Sequence, residues 1–354
     1  MHLSRFFLAL LLLFCGSGAH AALRAVLVGV STYEKLDEGL QLQGPANDVG
    51  LLYEFLLTRG IAPADVVMLA EQPLLPADAK LRPGRITLPT RKAIMDALDE
   101  MALKARAGDT VVLQFAGHAT QAPVLNDRDE ADGLDEMFLP RDVQKWYGGR
   151  GPLENAIRDD EIGAAIDRIR QRGALVWAIF DTCHAGTLTR SLNPAAARGM
   201  KLRGLDWEDL GVPKSLRENW REKFRSRSLR WNWFSKVTRR GDERPRGWGG
   251  LVAFYASSST QRTPELPFSK PALLLPQQEL IAGMFTAALF VALNADDPLT
   301  YSEVMTKVGK AYKDLKRLSQ KPNPQYEGTD VDSAVLQGLP RSAALPGTVA
   351  GSTP

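Results

Sequence analysis

One cysteine and two histidines occur in short motifs that each follow an apolar run. Cys183 and His184 lie in AIFDTCHAG (178–186), and His118 lies in FAGHAT (115–120). A thiolate attacks acyl carbonyls when a nearby base takes the thiol proton and donors stabilise the oxyanion. These residue types leave three alternatives: nucleophilic thiol catalysis, metal ligation, or an inert buried pair.

His118 is the better candidate for the base. Adjacent side chains at the end of a strand usually point apart, so His184 is a poor partner for Cys183 and is interpreted as structural. His118 follows a separate strand and can approach the thiol to hydrogen-bonding distance. A metal site is disfavoured because two of the four histidines and one of the two cysteines lie in the first 21 residues.

The first 21 residues have the pattern of a secretory signal peptide. A basic residue precedes the apolar run FFLALLLLF, and an Ala-x-Ala sequence ends at Ala21. We therefore predict a signal peptide over 1–21 and a protein that is exported, either periplasmic or secreted. Cleavage would remove Cys15 and leave Cys183 as a lone thiol. Acylation of Cys15 is the alternative, which the bulky Phe14 disfavours.

Short apolar runs alternate with helical periods along the chain, and the pattern predicts an α/β fold. Continuous apolar strands separated by helices indicate a parallel sheet that is covered on both faces. Catalytic groups in such sheets collect beyond the carboxyl ends of the strands, where His118 and Cys183 would meet if their strands are neighbours. The predicted strands are 24–30, 66–70, 110–116, 174–180 and 251–257, and the predicted helices are 47–59, 91–107, 159–172, 277–293 and 301–318.

The composition changes between residues 191 and 250. This basic segment holds 15 Lys and Arg against 7 Asp and Glu, together with five of the seven tryptophans. Apolar residues spaced by four, such as Leu216, Trp220 and Phe224, predict short amphipathic helices. The plain interpretation is a solvated excursion from the core, and the alternative is a membrane-surface or partner-binding role. The tail, 321–354, lacks periodicity and is predicted to be flexible.

The two motifs resemble those of metacaspases, a branch of the caspase-like cysteine peptidases. FAGHAT and FDTCHAG, with 65 residues between His118 and Cys183, stand where the family has Ser-Gly-His-Gly and Asp-Ser-Cys-His-Ser-Gly. The further stretches AVLVGVSTY, GPANDVGLLYEFL, PTRKAIMDAL, DRDEADGLDEMFLP, IRDDEI, FYASSSTQ and GMFTAAL fit in the same order.

The resemblance implies a caspase-like three-layer sandwich. Its mostly parallel central sheet would have about six strands with helices on both faces. The large part would span 22–190 and carry the Cys–His dyad, and the small part would span 251–320. The basic segment between them would be an insertion or linker.

The resemblance also implies roles for the motif residues. Cys183 would attack the scissile carbonyl, and His118 would assist thiolate formation and protonate the leaving amine. The backbone N–H groups of Cys183 and Ala119 would form the oxyanion hole. Ala119 replaces the family's glycine, and its Cβ restricts the backbone there.

Metacaspases cleave after Arg or Lys, and the matching acidic pocket positions are Asp48 and Asp181. A carboxylate makes strong, often bidentate hydrogen bonds to a guanidinium. The structural alternatives are a strand-end cap for Asp181 and a helix N-terminal acid for Asp48. Ala116 stands in place of a pocket serine, and Pro45 occupies a pocket-lining position.

Calcium activates many metacaspases, and oxygen ligands from aspartates suit that cation. The matching positions are Asp135, Asp159 and Asp160, but the fourth position is Arg190, whose charge opposes cation binding. Asp159 and Asp160 could instead simply begin a helix. No cofactor is required for the chemistry itself.

The sequence thus predicts an exported cysteine endopeptidase that cleaves polypeptides after Arg or Lys. The basic segment is expected to be either an autoprocessed linker or a plug over the acidic cleft. The alternative is a non-catalytic caspase-like scaffold that binds peptides or a membrane surface through 191–250. Nucleic acid is not an expected partner, and the resemblance implies a monomer.

Overall fold

A computed structural model describes most of the chain. At residues 123, 134–135 and 221–224 it describes the backbone only. The described residues are 21–123, 134–148, 153–182, 200–224, 244–258, 261–271, 274, 277–295, 298–314 and 321–337. Their strands are β1 Leu23–Gly29, β2 Val66–Ala70, β3 Arg85–Thr87, β4 Thr110–Ala116, β5 Ala119–Pro123, β6 Leu134–Phe138, β7 Ile157–Arg158, β8 Leu175–Asp181, β9 Leu251–Tyr255, β10 Glu265–Lys270, β11 Gln278–Gly283 and β12 Gln325–Gly328. Their helices are α1 Pro45–Thr58, α2 Arg91–Lys104, α3 Asp159–Arg170, α4 Lys214–Phe224, α5 Met284–Leu293 and α6 Tyr301–Asp314.

The central sheet has the strand order β12-β9-β8-β4-β1-β2-β3 in the described part of the chain. All neighbours are parallel except β12, which runs antiparallel to β9. The central strands β1, β4 and β8 are apolar almost throughout and nearly every residue is buried, as a sheet covered on both faces requires. The predicted α/β class and mostly parallel sheet are confirmed, with seven strands rather than about six.

Helices cover both faces of the sheet and create two hydrophobic cores. The helices α2 and α3 pack on one face through residues such as Leu98 and Ile166. The helices α1, α5 and α6 pack on the other face through residues such as Phe55, Phe285 and Tyr301. This three-layer arrangement confirms the sandwich that the sequence implied.

Two smaller sheets lie outside the central one. The strands β5, β6 and β7 form an antiparallel sheet that begins directly after β4, through Gly117 and His118. The strands β10 and β11 form an antiparallel hairpin between β9 and α5. Both sheets follow central strands in the chain, so they extend the structure beyond the edge where catalytic groups were expected.

Two predicted features are corrected by the structure. The helix expected over 277–293 begins only at Met284, because Gln278–Gly283 pairs with β10 and takes its backbone hydrogen bonds from that strand. The tail expected to be flexible from 321 contains β12, which pairs with β9. The residues of β12 are mostly polar and half-buried, as on an edge strand. They therefore lack the alternation of apolar and polar residues from which a strand is predicted.

The basic segment is described over 200–224 and 244–250. The helix predicted around Leu216 and Trp220 is confirmed as α4. Residues 200–212 are not the solvent-exposed excursion from the core that the composition suggested, because the side chains of Leu205, Trp207 and Leu210 are buried. Within the described residues, every helix is too short or too polar to cross a lipid bilayer.

The edge strand β12 should contribute measurably to stability. Removing residues 321–354 deletes four paired positions and the buried Leu336, whose N–H donates to the Tyr301 hydroxyl. We expect the free energy of unfolding to fall by about 3 kcal/mol relative to a chain that lacks 338–354 alone. Urea denaturation of the two truncated proteins measures the difference, and equal midpoints would contradict the role given to β12.

Candidate active site

His118 is positioned by the turn that ends β4. Gly117 has a φ of 152°, in the region that favours glycine, and a Cβ there would lie 2.9 Å from the Tyr33 hydroxyl. The backbone N–H of His118 donates to that hydroxyl at 2.7 Å, and the hydroxyl donates to the Val30 carbonyl at 3.2 Å. The imidazole is therefore fixed from the backbone side, and His118 is only 2% exposed.

The two ring nitrogens of His118 have different partners. Nε2 lies 2.8 Å from the Leu40 carbonyl, and Nδ1 lies 3.1 Å from the backbone N–H of Gly204. A carbonyl only accepts and an amide N–H only donates, so the neutral ring must carry its proton on Nε2. Nδ1 is then the basic atom, and it faces the residue that follows Arg203.

The ring is held in its neutral form. Burial lowers the pKa of His118 to about 3, and the nearby positive charges of Arg203, Arg262 and Lys201 act in the same direction. The hydrogen bond to the Leu40 carbonyl favours the charged form but does not compensate. His118 is therefore a neutral ring with its single proton on Nε2, and its Nδ1 accepts the Gly204 N–H.

The two motif strands are neighbours in the sheet. β4 and β8 pair in parallel with Ala116 opposite Asp181, and the Gly117 N–H lies 3.4 Å from the Asp181 carbonyl. The buried Thr182 ends the described part of the second motif. Cys183 and His184 lie outside the described residues. The prediction that both motifs emerge at one sheet edge is thus confirmed as far as Thr182.

Asp48 and Asp181, predicted from separate motifs, meet at one guanidinium. Asp48 lies in the first turn of α1 and Asp181 ends β8, and both side chains are fully buried. Between them lies the fully buried Arg203, which pairs with Asp48 Oδ2 and, at 2.9 Å, with Asp181 Oδ1. Arg203 also donates to the Asp181 carbonyl at 2.9 Å.

Fixed donors hold both aspartates. Asp48 Oδ1 accepts the Gly283 N–H at 2.9 Å. Asp181 Oδ2 accepts the backbone N–H of Thr286 at 3.0 Å and its hydroxyl at 2.6 Å. Both donor residues lie at the start of α5, where the β11 strand ends and the helix begins. The aspartates are therefore not merely a strand cap and a helix-end acid.

Glu265, the first residue of β10, is a third carboxylate in the pocket. It lies 3.3 Å from the Arg203 guanidinium and accepts the backbone N–H groups of Gln43 and Gly44 at 2.9 Å each. Its residue is 3% exposed. Sequence reasoning missed both Glu265 and Arg203, because neither lies in a recognisable motif and Arg203 is one of many cations in the basic segment.

Glycines make room for the guanidinium. A Cβ on Gly283 would lie 2.6 Å from Arg203 Nη1, and one on Gly44 would lie 2.8 Å from Arg203 Nη2. These distances are shorter than real Cβ contacts, so side chains here would fill the pocket. Pro45, expected at the pocket rim, is the first residue of α1 and directly follows Gly44.

The electrostatics of the pocket favour a bound cation. Burial raises the pKa of Asp48 to about 7, and the neighbouring Asp181 adds to the rise, while Arg203 opposes it. For Arg203 itself, burial works against the charge, but Asp181, Asp48 and Glu265 together raise its pKa well above the ordinary value. Three buried carboxylates without a cation would be strongly unfavourable.

Ala119 and Ala116 differ from the family pattern but are packed into the site. Ala119 begins β5, is fully buried, and its carbonyl accepts the Leu205 N–H at 3.0 Å. Its backbone therefore faces the segment that also occupies the pocket. Ala116 is fully buried at the end of β4.

The predicted calcium ligands lie on β6 and α3, which supply none of the pocket carboxylates. Asp159 is buried and Asp160 exposed at the start of α3, as expected of a helix that begins there. Asp135 lies in β6, two residues before Met137, which pairs with Arg158. Among the side chains that the structure describes, no group of three His, Cys, Asp or Glu could hold a metal. The side chain of Asp135 and all of Arg190 lie outside that set.

Comparisons with known proteins show which family part of the chain resembles. Residues 23–191 match the family model "Metacaspase, peptidase C14 domain". Metacaspase-2 of Arabidopsis thaliana is 33% identical over 191 residues, which is 54% of this chain and 40% of that protein. Metacaspase-1 of Mycosarcoma maydis is 32% identical over 164 residues, 46% of this chain and 36% of that protein. The chain spans well under half the length of these relatives.

A solved structure agrees at the level of the fold. The crystal structure of a protein from Geobacter sulfurreducens superposes with a TM-score of 0.52 at 18% identity, covering 87% of this chain and 94% of the other. The two chains therefore share an α/β fold. Residues 23–191 are thus similar to the peptidase domain of metacaspases.

The protonation state of His118 can be measured directly. In the Cys183→Ala chain, nitrogen-15 NMR should show a neutral ring with its proton on Nε2 that titrates near pH 3. Because an unfolded histidine titrates near 6.5, this group makes the folded state progressively less stable as pH falls from about 6.5 towards 3. A titration near 6.5, or a proton on Nδ1, would contradict the geometry described.

Proposed function

We propose that this protein is a cysteine endopeptidase that cleaves polypeptides after Arg or Lys, with Cys183 as nucleophile and His118 as base. One observation carries the proposal: a buried arginine lies in a pocket of three carboxylates, and the N–H of the residue after it faces His118 Nδ1. A pocket for a basic side chain next to a basic nitrogen is the arrangement that cleavage after that side chain needs.

The reaction follows from these positions. Cys183, which follows Thr182 at the end of β8, would attack the carbonyl of the basic residue as a thiolate. His118 Nδ1 would take the thiol proton and pass it to the leaving amine, while the Leu40 carbonyl holds Nε2–H and fixes the ring. The N–H groups of Ala119 and Cys183 would stabilise the oxyanion. Water then releases the acyl group.

The pocket would favour arginine over lysine. A guanidinium offers five donors in a fixed fork, and here its two terminal nitrogens contact three separate carboxylates. An ammonium is a single charged point and cannot reach all three with the same geometry. Arginine is therefore the preferred residue and lysine the second.

Further parts of the proposal concern maturation and regulation. Self-cleavage in the basic segment is proposed because that segment already enters the cleft. Export through cleavage after Ala21 is supported by Asp109, whose Oδ1 lies 2.9 Å from the Ala22 nitrogen and would pair with a new ammonium there.

Calcium activation is proposed for Asp135, Asp159 and Asp160, and a calcium titration of Asp159→Asn against the parent chain tests it. A monomer remains the proposed state in solution, and membrane contact through 191–250 remains a proposal.

Hydrolysis of fluorogenic peptides tests the reaction. The protein should turn over peptides that end in Arg, and more slowly those that end in Lys. Cys183→Ala and His118→Gln should each lower the rate by at least about a thousandfold, since both groups act in the same step. Circular dichroism checks that both variants fold. Turnover that survives Cys183→Ala, or no turnover by any form of the protein, would overturn the proposal.

The third carboxylate gives a more specific prediction. Glu265→Gln removes the charge and keeps one of the two oxygens that accept the Gln43 and Gly44 N–H groups. It should lower kcat/KM for Arg peptides about tenfold or more, mainly through KM. Glu279→Gln is the matched control, because Glu279 is an exposed carboxylate on the same hairpin. Equal kinetics for Glu265→Gln and the control would show that the third carboxylate does not bind substrate.

A further inference from the structure

Thr286 is the one polar residue of α5, whose sequence is MFTAALFVAL, and it is only 2% exposed. A threonine buried in an apolar helix commonly donates its hydroxyl proton to a carbonyl of the preceding turn. Here the hydroxyl donates to Asp181 Oδ2 at 2.6 Å. Because a hydroxyl has a single proton, this bond uses its whole donor capacity. The side chain of Thr286 is therefore directed at the pocket carboxylate and not at its own helix.

The backbone of α5 adds a second bond to the same oxygen. The first N–H groups of an α-helix lack partners within the helix, and the Thr286 N–H is one of them. It donates to Asp181 Oδ2 at 3.0 Å. Gly283, the residue before the helix, supplies no side-chain cap, so Asp181 takes that place from β8. The helix dipole favours a carboxylate in this position, and Oδ2 is held by two donors from one residue.

Holding Oδ2 leaves Oδ1 of Asp181 to the bound cation. Arg203 Nη1 lies 2.9 Å from Oδ1 and donates to the Asp181 carbonyl, also at 2.9 Å. The carbonyl is fixed by β8, so the carboxylate reaches the same nitrogen only in one rotation of the Asp181 side chain. The two bonds from Thr286 hold that rotation. They place Oδ1 where a planar guanidinium can meet it.

The start of α5 is itself fixed to the rest of the pocket. The Met284 N–H donates to the Pro264 carbonyl at 3.0 Å, beside the β10 carboxylate. The Gly283 N–H donates to Asp48 Oδ1 at 2.9 Å, and a Cβ on Gly283 would collide with Asp181 Oδ2. The first turn of α5 therefore has a fixed position relative to all three pocket carboxylates, as a positioning element requires.

We propose that Thr286 is the positioning residue that gives the pocket its preference for a guanidinium over an ammonium. This inference rests on the proposed peptidase function and deepens it by naming the residue behind that preference. A guanidinium has donors in fixed directions, so its binding depends on the rotation of Asp181 that Thr286 sets. An ammonium is a point charge with rotatable donors, so its binding depends mainly on the charge of the pocket, which Thr286 does not supply.

The kinetics of the processed protein on matched Arg and Lys peptides test the inference. Thr286→Val keeps the shape and the backbone N–H but removes the hydroxyl. It should lower kcat/KM for the Arg peptide about tenfold, mainly through KM, because a hydrogen bond to a charged group is lost. The Lys peptide should lose about threefold or less, because its binding does not depend on one rotation of Asp181. The ratio of the two kcat/KM values therefore falls.

Two further variants separate positioning from folding. Thr286→Ser keeps the hydroxyl and should restore the Arg-to-Lys ratio that Thr286→Val loses. Thr306→Val is the matched control, because Thr306 is an exposed threonine of α6 whose hydroxyl donates to the Ser302 carbonyl. It should behave as the parent does. If Thr286→Val loses equally on both peptides, or keeps the parent ratio, Thr286 supports only the fold and the inference is wrong.

A measurement without turnover keeps this inference distinct from the proposed function. In the Cys183→Ala chain, nitrogen-15 NMR can follow the rotation of the Arg203 guanidinium about its Nε–Cζ bond. With Thr286→Val added, this rotation should be about tenfold faster, because the contact between Asp181 and Nη1 is loosened. Equal rotation rates would overturn the positioning role whether or not peptides are hydrolysed. Faster rotation without hydrolysis by any form of the protein would support the positioning of Asp181 and overturn the peptidase proposal.

Discussion

The interaction on which the candidate site depends is the pairing of one buried guanidinium with three buried carboxylates. Arg203, Asp48 and Asp181 are fully buried and Glu265 nearly so. Removing charged groups from water costs several kcal/mol each, and mutual attraction compensates only where the geometry is good and the remaining lone pairs are bonded. Backbone N–H groups of Gly283, Thr286, Gln43 and Gly44 supply those bonds.

This pairing joins parts of the chain that are far apart in sequence. Asp48 comes from α1, Asp181 from β8, Glu265 from β10 and Arg203 from the basic segment. The parallel register of β4 and β8 sets Asp181 opposite Ala116, two residues before His118. The pocket and the basic nitrogen are therefore adjacent because of the sheet. The hairpin β10–β11 supplies Glu265 and the Gly283 N–H to the pocket.

Sequence reasoning could predict what is encoded in local patterns. Apolar runs such as TVVLQFA predicted the central strands, and the order of strands and helices predicted the parallel sheet, with His118 and Cys183 beyond its carboxyl edge. It did not predict β12 or β11, because the edge strand is polar and half-buried and Gln278–Gly283 runs directly into an apolar helix. Pairing partners, rather than local propensity, decide the conformation of both segments.

The same distinction applies to the site. Asp48 and Asp181 lie inside the region that matches the family model, whereas Arg203 and Glu265 lie beyond its end at 191. No motif surrounds them, and their roles arise only from tertiary contacts. A charge count predicts that the basic segment complements an acidic cleft. It does not predict which of the segment's 15 Lys and Arg side chains enters that cleft.

The central claim is that this carboxylate pocket selects the residue before the scissile bond. Cleavage of a randomised peptide library by the processed protein, with the cut sites read by mass spectrometry, tests it most directly. The account predicts arginine at that position in most products, lysine in a minority, and no enrichment of acidic or apolar residues. A library cut mainly after acidic or apolar residues would contradict it.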